Sequence, residues 1–379
     1  MHPLSSLAPL SDIPALADTV WLFTAAEGPP LAVQECALSR YLTNRSHAGV
    51  GREEHAAVEA RLRGRLGDML GLPAADIALV SNSSEAINAI AGSLDLQPGD
   101  NVVINDLEYP SVIQPWLRLA SQGIEVRIAR HDSWRLPAES IAALIDTRTK
   151  VVAVSHVSYV SGWRHDLAGI SAAADRVGAF VMLDATQSLG AVRVPAHLVD
   201  AVVCSSYKWL LGGHGLGILA WNQARRPLPM PASVGWRSVP DVFTDDRLRS
   251  YRLYDDARRF EVGFPSYPSI YSLDASTGWL AGFDPDTVEQ HVLTLSGRLV
   301  EGLAAQGWNV LTPAEPEHRA GSVAVRAAHG DTLAEAMARL GIHCWGGDGR
   351  LRFSTHLFNS DADIQQLLEV LDRIAPDAR

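Results

Sequence analysis

Lys208 lies where a predicted apolar strand meets a glycine-rich turn. It ends the sequence SSYK at positions 205–208 and is followed by WLLGGHGLG. A lysine amine attacks a carbonyl only when its charged form is disfavoured, as in a partly desolvated pocket. The glycines allow the backbone to approach a bulky ligand. The pattern predicts a nucleophilic lysine, and a surface lysine on a glycine-rich turn is the alternative.

A carboxylate ends another predicted strand upstream. Asp184 closes the apolar run VMLD at positions 181–184, and Gln187 follows three residues later. A buried aspartate in this position can face a protonated ring nitrogen and stabilise its positive charge. The alternative is that Asp184 caps the next helix, as short polar side chains often do.

Ser83 and Ser84 open a predicted helix directly after the apolar run IALV at positions 77–80. Free backbone N–H groups at a helix N-terminus, with serine hydroxyls beside them, bind a phosphate group well. Either serine could instead be an ordinary helix cap. The sequence therefore predicts a phosphate site at this turn, upstream of Asp184 and Lys208.

In this order, the three segments resemble the class V aminotransferase family of fold type I pyridoxal-phosphate enzymes. The family includes cysteine desulfurases, kynureninases, isopenicillin-N epimerases and several carbon–sulfur lyases, some of them in lincosamide pathways. The resemblance extends from about Trp21 to the final helix. It implies pyridoxal 5'-phosphate as the cofactor, an amino acid as the substrate and a homodimer as the assembly.

The resemblance also implies a role for each matched residue. Lys208 would bind the cofactor's aldehyde carbon and carry the proton removed from the substrate. Asp184 would face the pyridine nitrogen, and Gln187 would donate a hydrogen bond to the phenolic oxygen. Tyr109 falls where desulfurases place a histidine that stacks on the pyridine ring, so we expect it to stack as an aromatic residue of the catalytic site.

Four matched residues belong to the phosphate site: Ser83, Ser84, Ser205 and Tyr207. Tyr207 replaces a family histidine, and its phenol can donate one hydrogen bond but carries no positive charge. The dimer partner normally completes this site from a Gly-Thr motif. Phe264 stands in place of the threonine here, which leaves the partner's contact open, with Ser266 as a possible substitute.

Two positions are predicted to bind substrate. Arg352, in LRFSTHLFN at positions 351–359, matches the arginine that holds the substrate carboxylate through two parallel hydrogen bonds. Tyr159 stands where desulfurases have asparagine and where lyase-like members often have an aromatic residue. The same substitution favours a branch of the family other than the desulfurases.

A cysteine that desulfurases require has no clear counterpart. Their mobile cysteine, which accepts sulfur as a persulfide, precedes the carboxylate-binding arginine. Cys344 is the cysteine nearest that place, but it follows an apolar strand position and the loop after it is reduced to a few glycines. We therefore predict that Cys344 is a small core residue and that persulfide transfer is not the function.

Composition and pattern predict an α/β enzyme. Apolar runs near 77–80, 102–105, 125–129, 151–155, 179–184, 200–204 and 216–220 alternate with helical stretches, which is typical of a mostly parallel sheet. We predict a large cofactor domain at 15–259 and a smaller α+β C-terminal domain at 260–379, near which residues 1–14 pack.

A net charge of −11 and the lack of a basic patch argue against a nucleic-acid partner. Three scattered cysteines suggest neither disulfides nor a metal site, and no apolar run is long enough for a membrane span. A cytoplasmic location is therefore predicted.

The leading hypothesis is β-elimination from an S-substituted cysteine, in a carbon–sulfur lyase of secondary metabolism such as antibiotic biosynthesis. The same cofactor supports several reactions, so alternatives stay open. These are decarboxylation coupled to oxidative deamination giving an aldehyde, epimerisation or transamination, kynureninase-type hydrolysis, and a catalytically silent structural homologue.

Overall fold

A computed structural model describes residues 3–375, which form two sheets flanked by helices. The strands are β1 (Val20–Leu22), β2 (Ile77–Val80), β3 (Asn101–Asn105), β4 (Glu125–Ala129), β5 (Thr149–Ser155), β6 (Phe180–Asp184), β7 (Ala201–Ser205), β8 (Gly217–Trp221), β9 (Ser322–Arg326), β10 (Ile342–Gly347) and β11 (Arg350–Ser354). The helices are α1 (Ala32–Ser46), α2 (Ala48–Leu70), α3 (Ser83–Ser93), α4 (Pro110–Leu119), α5 (Ala138–Ala142), α6 (Leu167–Asp175), α7 (Tyr267–Leu280), α8 (Pro285–Ala305), α9 (Gly330–Ala338) and α10 (Asp361–Ile374).

The larger sheet has seven strands in the order β2-β8-β7-β6-β5-β3-β4. All seven correspond to the apolar runs of the sequence, and the mixed α/β architecture expected from the family resemblance is confirmed. Successive side chains of β6 enter different apolar clusters: Val181 and Leu183 pack in one, Met182 in the other. Because both faces are covered, these strands are continuous apolar runs rather than alternating ones.

The direction of the strands determines which loops meet. Strand β8 runs antiparallel to both β7 and β2, while β3 to β7 are mutually parallel. The two reversals leave β2 pointing the same way as β7. The carboxyl ends of β2, β6 and β7 therefore lie at one edge of the sheet, where ligands bind in such folds.

The smaller sheet has four strands in the order β1-β10-β11-β9. Its apolar cluster includes Leu295 and Leu299 of α8, Leu367 of α10, and Val323 and Phe353 of the sheet. Helices α8, α9 and α10 fall where helical patterns occur in the sequence. Strands β10 and β11 form an antiparallel hairpin that pairs Gly347 with Arg350.

Two elements associate across the predicted domain boundary. Strand β1 belongs to the 15–259 segment but pairs with β10 in the smaller sheet, whereas α7 of the 260–379 segment packs on α1 and α2. Pairing between segments more than 300 residues apart leaves no local signal in the sequence.

The N-terminal segment lies against the C-terminal part of the chain. Leu7 N–H donates to the carbonyl of Leu357, and Asp361 N–H donates to the carbonyl of Leu4. Residues 1 and 2, part of the predicted 1–14 segment, lie outside the described residues. Among residues 3–375, no helix is both long enough and apolar enough to cross a membrane.

Candidate active site

A cavity of about 170 Å³ lies at the carboxyl edge of the larger sheet. It brings together every residue predicted to bind the cofactor, together with Tyr159, and Arg352 of β11 donates a hydrogen bond to the carbonyl of Tyr159. The lining residues are Asn82, Ser83, Ser84, Tyr109, Ser111, Ser155, Tyr159, Asp184, Thr186, Gln187, Ser205, Tyr207 and Lys208. Segments more than 120 residues apart in sequence thus form one site.

Lys208 is buried in this cavity, not exposed on the surface turn of the alternative interpretation. Its Nζ lies 5.6 Å from the ring centre of Tyr109 and 5.7 Å from that of Tyr207. Burial, reinforced by the positive charge of Arg352, lowers the pKa of Lys208 to about 8. The unprotonated amine is therefore accessible near neutral pH, as a nucleophile or proton acceptor requires.

Asp184 is the buried last residue of β6, and it does not cap a helix. The Thr186 N–H donates to its Oδ1 at 2.8 Å. Burial raises the pKa of Asp184, while the hydrogen bonds from Thr186 and the charge of Lys208 act in the opposite direction. A cationic ring nitrogen placed against it would stabilise the ionised carboxylate further.

The cap of α3 is Asn82, not either serine, because its side chain accepts the Glu85 N–H at 2.9 Å. Ser83 and Ser84 therefore begin the helix, with their hydroxyls at the cavity. The Ser83 hydroxyl lies 2.7 Å from that of Ser205 at the end of β7. Strand β2 and strand β7 thus contribute to one cluster of hydroxyl groups.

Gly217, the first residue of β8, lies directly beneath this turn. A Cβ atom at position 217 would lie 2.3 Å from the carbonyl carbon of Asn82 and 2.7 Å from the Ser83 nitrogen. Only glycine lets the strand support the turn so closely. Backbone N–H groups and hydroxyls at the start of an eleven-residue helix suit the phosphate of pyridoxal phosphate.

Both the oxygen and the nitrogen of the Gln187 side-chain amide form hydrogen bonds. Trp209 Nε1 donates to its Oε1 at 2.9 Å, and its Nε2 donates to the carbonyl of Ala25 at 2.9 Å. The N–H of Ala25 in turn donates to the Ser354 hydroxyl of β11 at 3.1 Å. Ala25 therefore joins the cofactor cavity to the strand that carries Arg352.

Three tyrosines, Tyr109, Tyr159 and Tyr207, line the cavity. Tyr109 directly precedes α4 and meets the ring of Tyr159 edge to face, with the centroids 5.1 Å apart. Tyr207 stacks on His214 at 4.2 Å. Burial raises the pKa of both Tyr159 and Tyr207. These phenols are therefore neutral near neutral pH and act as hydrogen-bonding groups or flat surfaces.

Arg352 is a buried cation whose hydrogen-bonding groups are only partly used. Its Nη1 donates to the carbonyl of Tyr159 at 2.8 Å, and its Nε has no partner among the described residues. Within residues 3–375 no carboxylate pairs with it. Burial, together with the nearby charge of Arg350, lowers the pKa of Arg352 to about 10. The side chain can thus bind an anion.

Sequence reasoning missed a buried acid next to the site. Glu108 accepts hydrogen bonds from the Ser155 backbone at 2.8 Å, from the Ser155 hydroxyl and from Asn105. Burial raises the pKa of Glu108 to about 7. The only signal for Glu108 in the sequence was its position beside Tyr109. In the structure, Glu108 holds Ser155, which lines the cavity. Thr186, two residues after Asp184, was missed as well.

Cys344 lies in the apolar cluster of the smaller sheet, as predicted from its apolar strand position. Its Sγ is 4.0 Å from the Sδ of Met337, and burial raises the pKa of the Cys344 thiol to about 12. Asp348 and Gly349 make a two-residue turn between β10 and β11. No loop follows Cys344 that could bring its thiol to the cavity.

Comparison with known proteins gives a consistent assignment. The sequence profile of the Aminotransferase class-V family matches residues 30–367. A probable cysteine desulfurase of Methanothermobacter thermautotrophicus is 29% identical, with 96% of each chain covered. A cysteine desulfurase of Dickeya dadantii is 31% identical over 79% of this chain and 77% of that protein.

Solved structures agree with the fold. The cysteine desulfurase of Thermococcus onnurineus NA1 superposes with a TM-score of 0.87 at 24% identity, covering 96% of both chains. The cystine C–S lyase C-DES, solved with cysteine persulfide, gives 0.84 at 22% identity, covering 95% of this chain and 98% of that one.

The chain belongs to the class V aminotransferase family and has the fold type I architecture. It is a pyridoxal-phosphate-dependent enzyme, and the cavity described above has the hydroxyls, carboxylate and lysine that fit this cofactor.

Proposed function

We propose that this enzyme is a carbon–sulfur lyase that performs β-elimination on an S-substituted cysteine. The observation that carries the proposal is the burial of Cys344 on β10, the first strand of a hairpin with a two-residue turn. A desulfurase needs a mobile thiol at this place. With that thiol in the core, the sulfur of a bound substrate would leave as a free thiolate instead of passing to the protein.

The roles of the site residues are part of the proposal. Ser83, Ser84, Ser205 and Tyr207 would hold the cofactor phosphate, Asp184 its ring nitrogen and Gln187 its phenolic oxygen. Tyr109 would cover the ring, while Arg352 and Tyr159 would contact the substrate. The bound cofactor supplies an electron sink for negative charge that develops at the substrate Cα.

Lys208 would accept the Cα proton at Nζ. The electron pair left at Cα forms a double bond to Cβ, and the Cβ–S bond breaks with its electrons on sulfur, which leaves as a thiolate. Water then converts the released enamine to pyruvate and ammonia, so no oxidant is required. Arg352 would fix the carboxylate through paired hydrogen bonds, and thereby the orientation of the Cα bonds.

We also propose a homodimer. Trp236 and Phe264 are about half exposed and meet edge to face at 4.5 Å. Phe264 falls in the segment that the family resemblance assigns to the dimer contact. Ser266 caps α7 by accepting the Ser269 N–H at 3.4 Å. This contact uses the Ser266 oxygen as an acceptor, so its O–H can still donate, and Ser266 stays the candidate for the partner's contact with the phosphate.

The test is product analysis with the holoenzyme and a panel of S-substituted cysteines. Stoichiometric pyruvate, ammonia and free thiol are expected. Carbon dioxide with oxygen uptake would replace the proposal with the aldehyde-forming reaction. A spectral change without these products would indicate epimerisation or transamination. A purified protein that binds no cofactor would indicate a silent homologue.

A further inference from the structure

A second buried arginine lies next to Arg352, and the reaction proposed above leaves it without a role. Arg350 begins β11, two residues before Arg352, so both side chains project from the same face of the strand. The Arg350 side chain is 7% exposed. Buried cations are rare unless they are paired, so this position calls for an explanation.

The contacts of Arg350 leave part of its charge uncompensated. Within residues 3–375, its polar contacts are a 2.8 Å hydrogen bond from Nη1 to the carbonyl of Val160 and a 3.4 Å ion pair with Asp348. Asp348 is largely exposed, so water screens this pair. A guanidinium has five N–H groups, and two contacts do not satisfy them.

The two arginines form one cationic cluster with Trp345. The guanidinium carbon of Arg350 lies 5.4 Å from the Trp345 ring centre, and that of Arg352 lies 5.0 Å from it. Two buried like charges destabilise the protein unless anions neutralise them. The carboxylate of one amino acid would neutralise Arg352, which leaves Arg350 for a second anionic group.

The rings beside Arg350 lead from the cavity to this cluster. Its guanidinium carbon lies 5.7 Å from the ring centre of Tyr159, whose edge-to-face partner Tyr109 lines the cofactor cavity. A group extending from the substrate's sulfur past the two tyrosines would therefore reach Arg350. Flat aromatic walls suit a short apolar spacer ahead of the charged end.

We propose that Arg350 determines substrate specificity by binding a carboxylate at the end of the sulfur substituent, so that the enzyme prefers dicarboxylic S-substituted cysteines. This proposal rests on the lyase function proposed above. A purely structural role, in which Arg350 only ties β11 to the loop at Val160, is the competing explanation.

The decisive comparison uses two amino acids of the same shape. S-(2-carboxyethyl)cysteine ends in a carboxylate, and S-(2-carbamoylethyl)cysteine ends in a neutral amide. Paired charge-assisted hydrogen bonds predict that the wild-type holoenzyme prefers the acid by about 10- to 100-fold in Kd, measured from the cofactor's absorbance change, and in kcat/KM. Equal affinity of the wild-type enzyme for the two compounds would overturn the proposal.

Variants then assign the preference to one residue. Arg350→Gln should abolish the preference for the acid, with most of the lost affinity falling on the acid, whereas Arg350→Lys should keep part of the preference. Arg326→Gln is the matched control, because Arg326 is exposed on β9 and pairs with Arg350 in the sheet. A preference that persists in Arg350→Gln would refute the assignment.

The binding measurement separates the two proposals. If no pyruvate or thiol forms but the Kd preference exists and disappears in Arg350→Gln, the lyase reaction is wrong and the carboxylate site stands. If both compounds are cleaved equally well and bound equally well, the lyase reaction stands and the carboxylate site is wrong.

Discussion

The two sides of the active site differ in how their charges are balanced. On the cofactor side, at the edge of the larger sheet, Asp184 accepts the Thr186 N–H and the serine hydroxyls meet one another. On the substrate side, the β10–β11 hairpin buries Arg350 and Arg352, and among the described residues the exposed Asp348 pairs with Arg350 while no carboxylate pairs with Arg352. The cofactor side carries the residues that the family resemblance assigns to the cofactor, whereas the hairpin carries those that we propose select a substrate.

The largest expected effect is on the cofactor side. Lys208→Ala should reduce turnover by at least about 10³-fold, since the chain loses both its nucleophile and its proton carrier. Lys150→Ala is a matched control, because Lys150 is the other of the chain's two lysines and is exposed, with its Nζ 3.9 Å from Asp100. Turnover rates measured with the panel of S-substituted cysteines would check this, and substantial turnover by Lys208→Ala would refute the role of this residue.

The two lysines also permit a chemical test of the same site. Borohydride reduction of the holoenzyme, followed by peptide mapping, should label Lys208 and leave Lys150 unmodified. Reduction fixes the cofactor to the amine that holds it. Label on Lys150 instead would mean that the cavity described here is not the cofactor site.

On the substrate side, Arg352→Gln should raise the KM of every amino-acid substrate by about 10- to 100-fold, because paired charge-assisted hydrogen bonds to the α-carboxylate are lost. The KM should rise equally for substrates with charged and with neutral sulfur substituents, in contrast to the selective effect of Arg350→Gln. Steady-state kinetics with both compounds measures this. An unchanged KM would show that another group holds the α-carboxylate.

The two sides should also be linked in a way that pH reveals, because the Arg352 charge on the substrate side affects the protonation of Lys208 on the cofactor side. Because the pKa of Lys208 is about 8, the nucleophilic, unprotonated fraction of its amine falls as the pH drops below that value. The rate at which the apoprotein combines with pyridoxal phosphate should rise about tenfold per pH unit and level off above pH 8. Absorbance kinetics between pH 6 and 10 would locate the midpoint.

Arg352→Gln should move this midpoint to higher pH, since the Arg352 charge helps to lower the pKa of Lys208. The conservative variant Arg352→Lys, which keeps a charge, should move it less. A wild-type midpoint near the ordinary lysine value of 10.5 would contradict the burial argument.

The smallest effect is expected at Cys344. Cys344→Ala should change turnover by less than about twofold and cost about 1 kcal/mol of stability, because it removes one buried atom from a packed core. Turnover and thermal unfolding measure the two quantities. Loss of sulfur release in this variant would restore the persulfide mechanism and reject the lyase proposal.

The residues on the cofactor side could be predicted from the sequence better than the geometry of the hairpin could. Asp184 and Lys208 follow buried apolar runs, and parallel strands bring such ends together whatever the intervening loops do. The geometry of the hairpin depends on register. A two-residue turn pairs Arg350 with Gly347, and that pairing could not be read from sequence. The burial of Glu108 and the place of β1 likewise depend on contacts between distant segments.

The pairing of β1 with β10 has a mechanical consequence. The chain passes between the two halves of the molecule twice, once after β1 and once between α7 and α8. The two halves are also bonded directly to each other, since Arg350 and Arg352 donate to the carbonyls of Val160 and Tyr159. Ala25 follows the first of these chain passages; its carbonyl accepts from Gln187 and its N–H donates to Ser354 of β11. A shift of the smaller sheet would therefore be transmitted through this one residue to the Gln187 amide in the cofactor cavity.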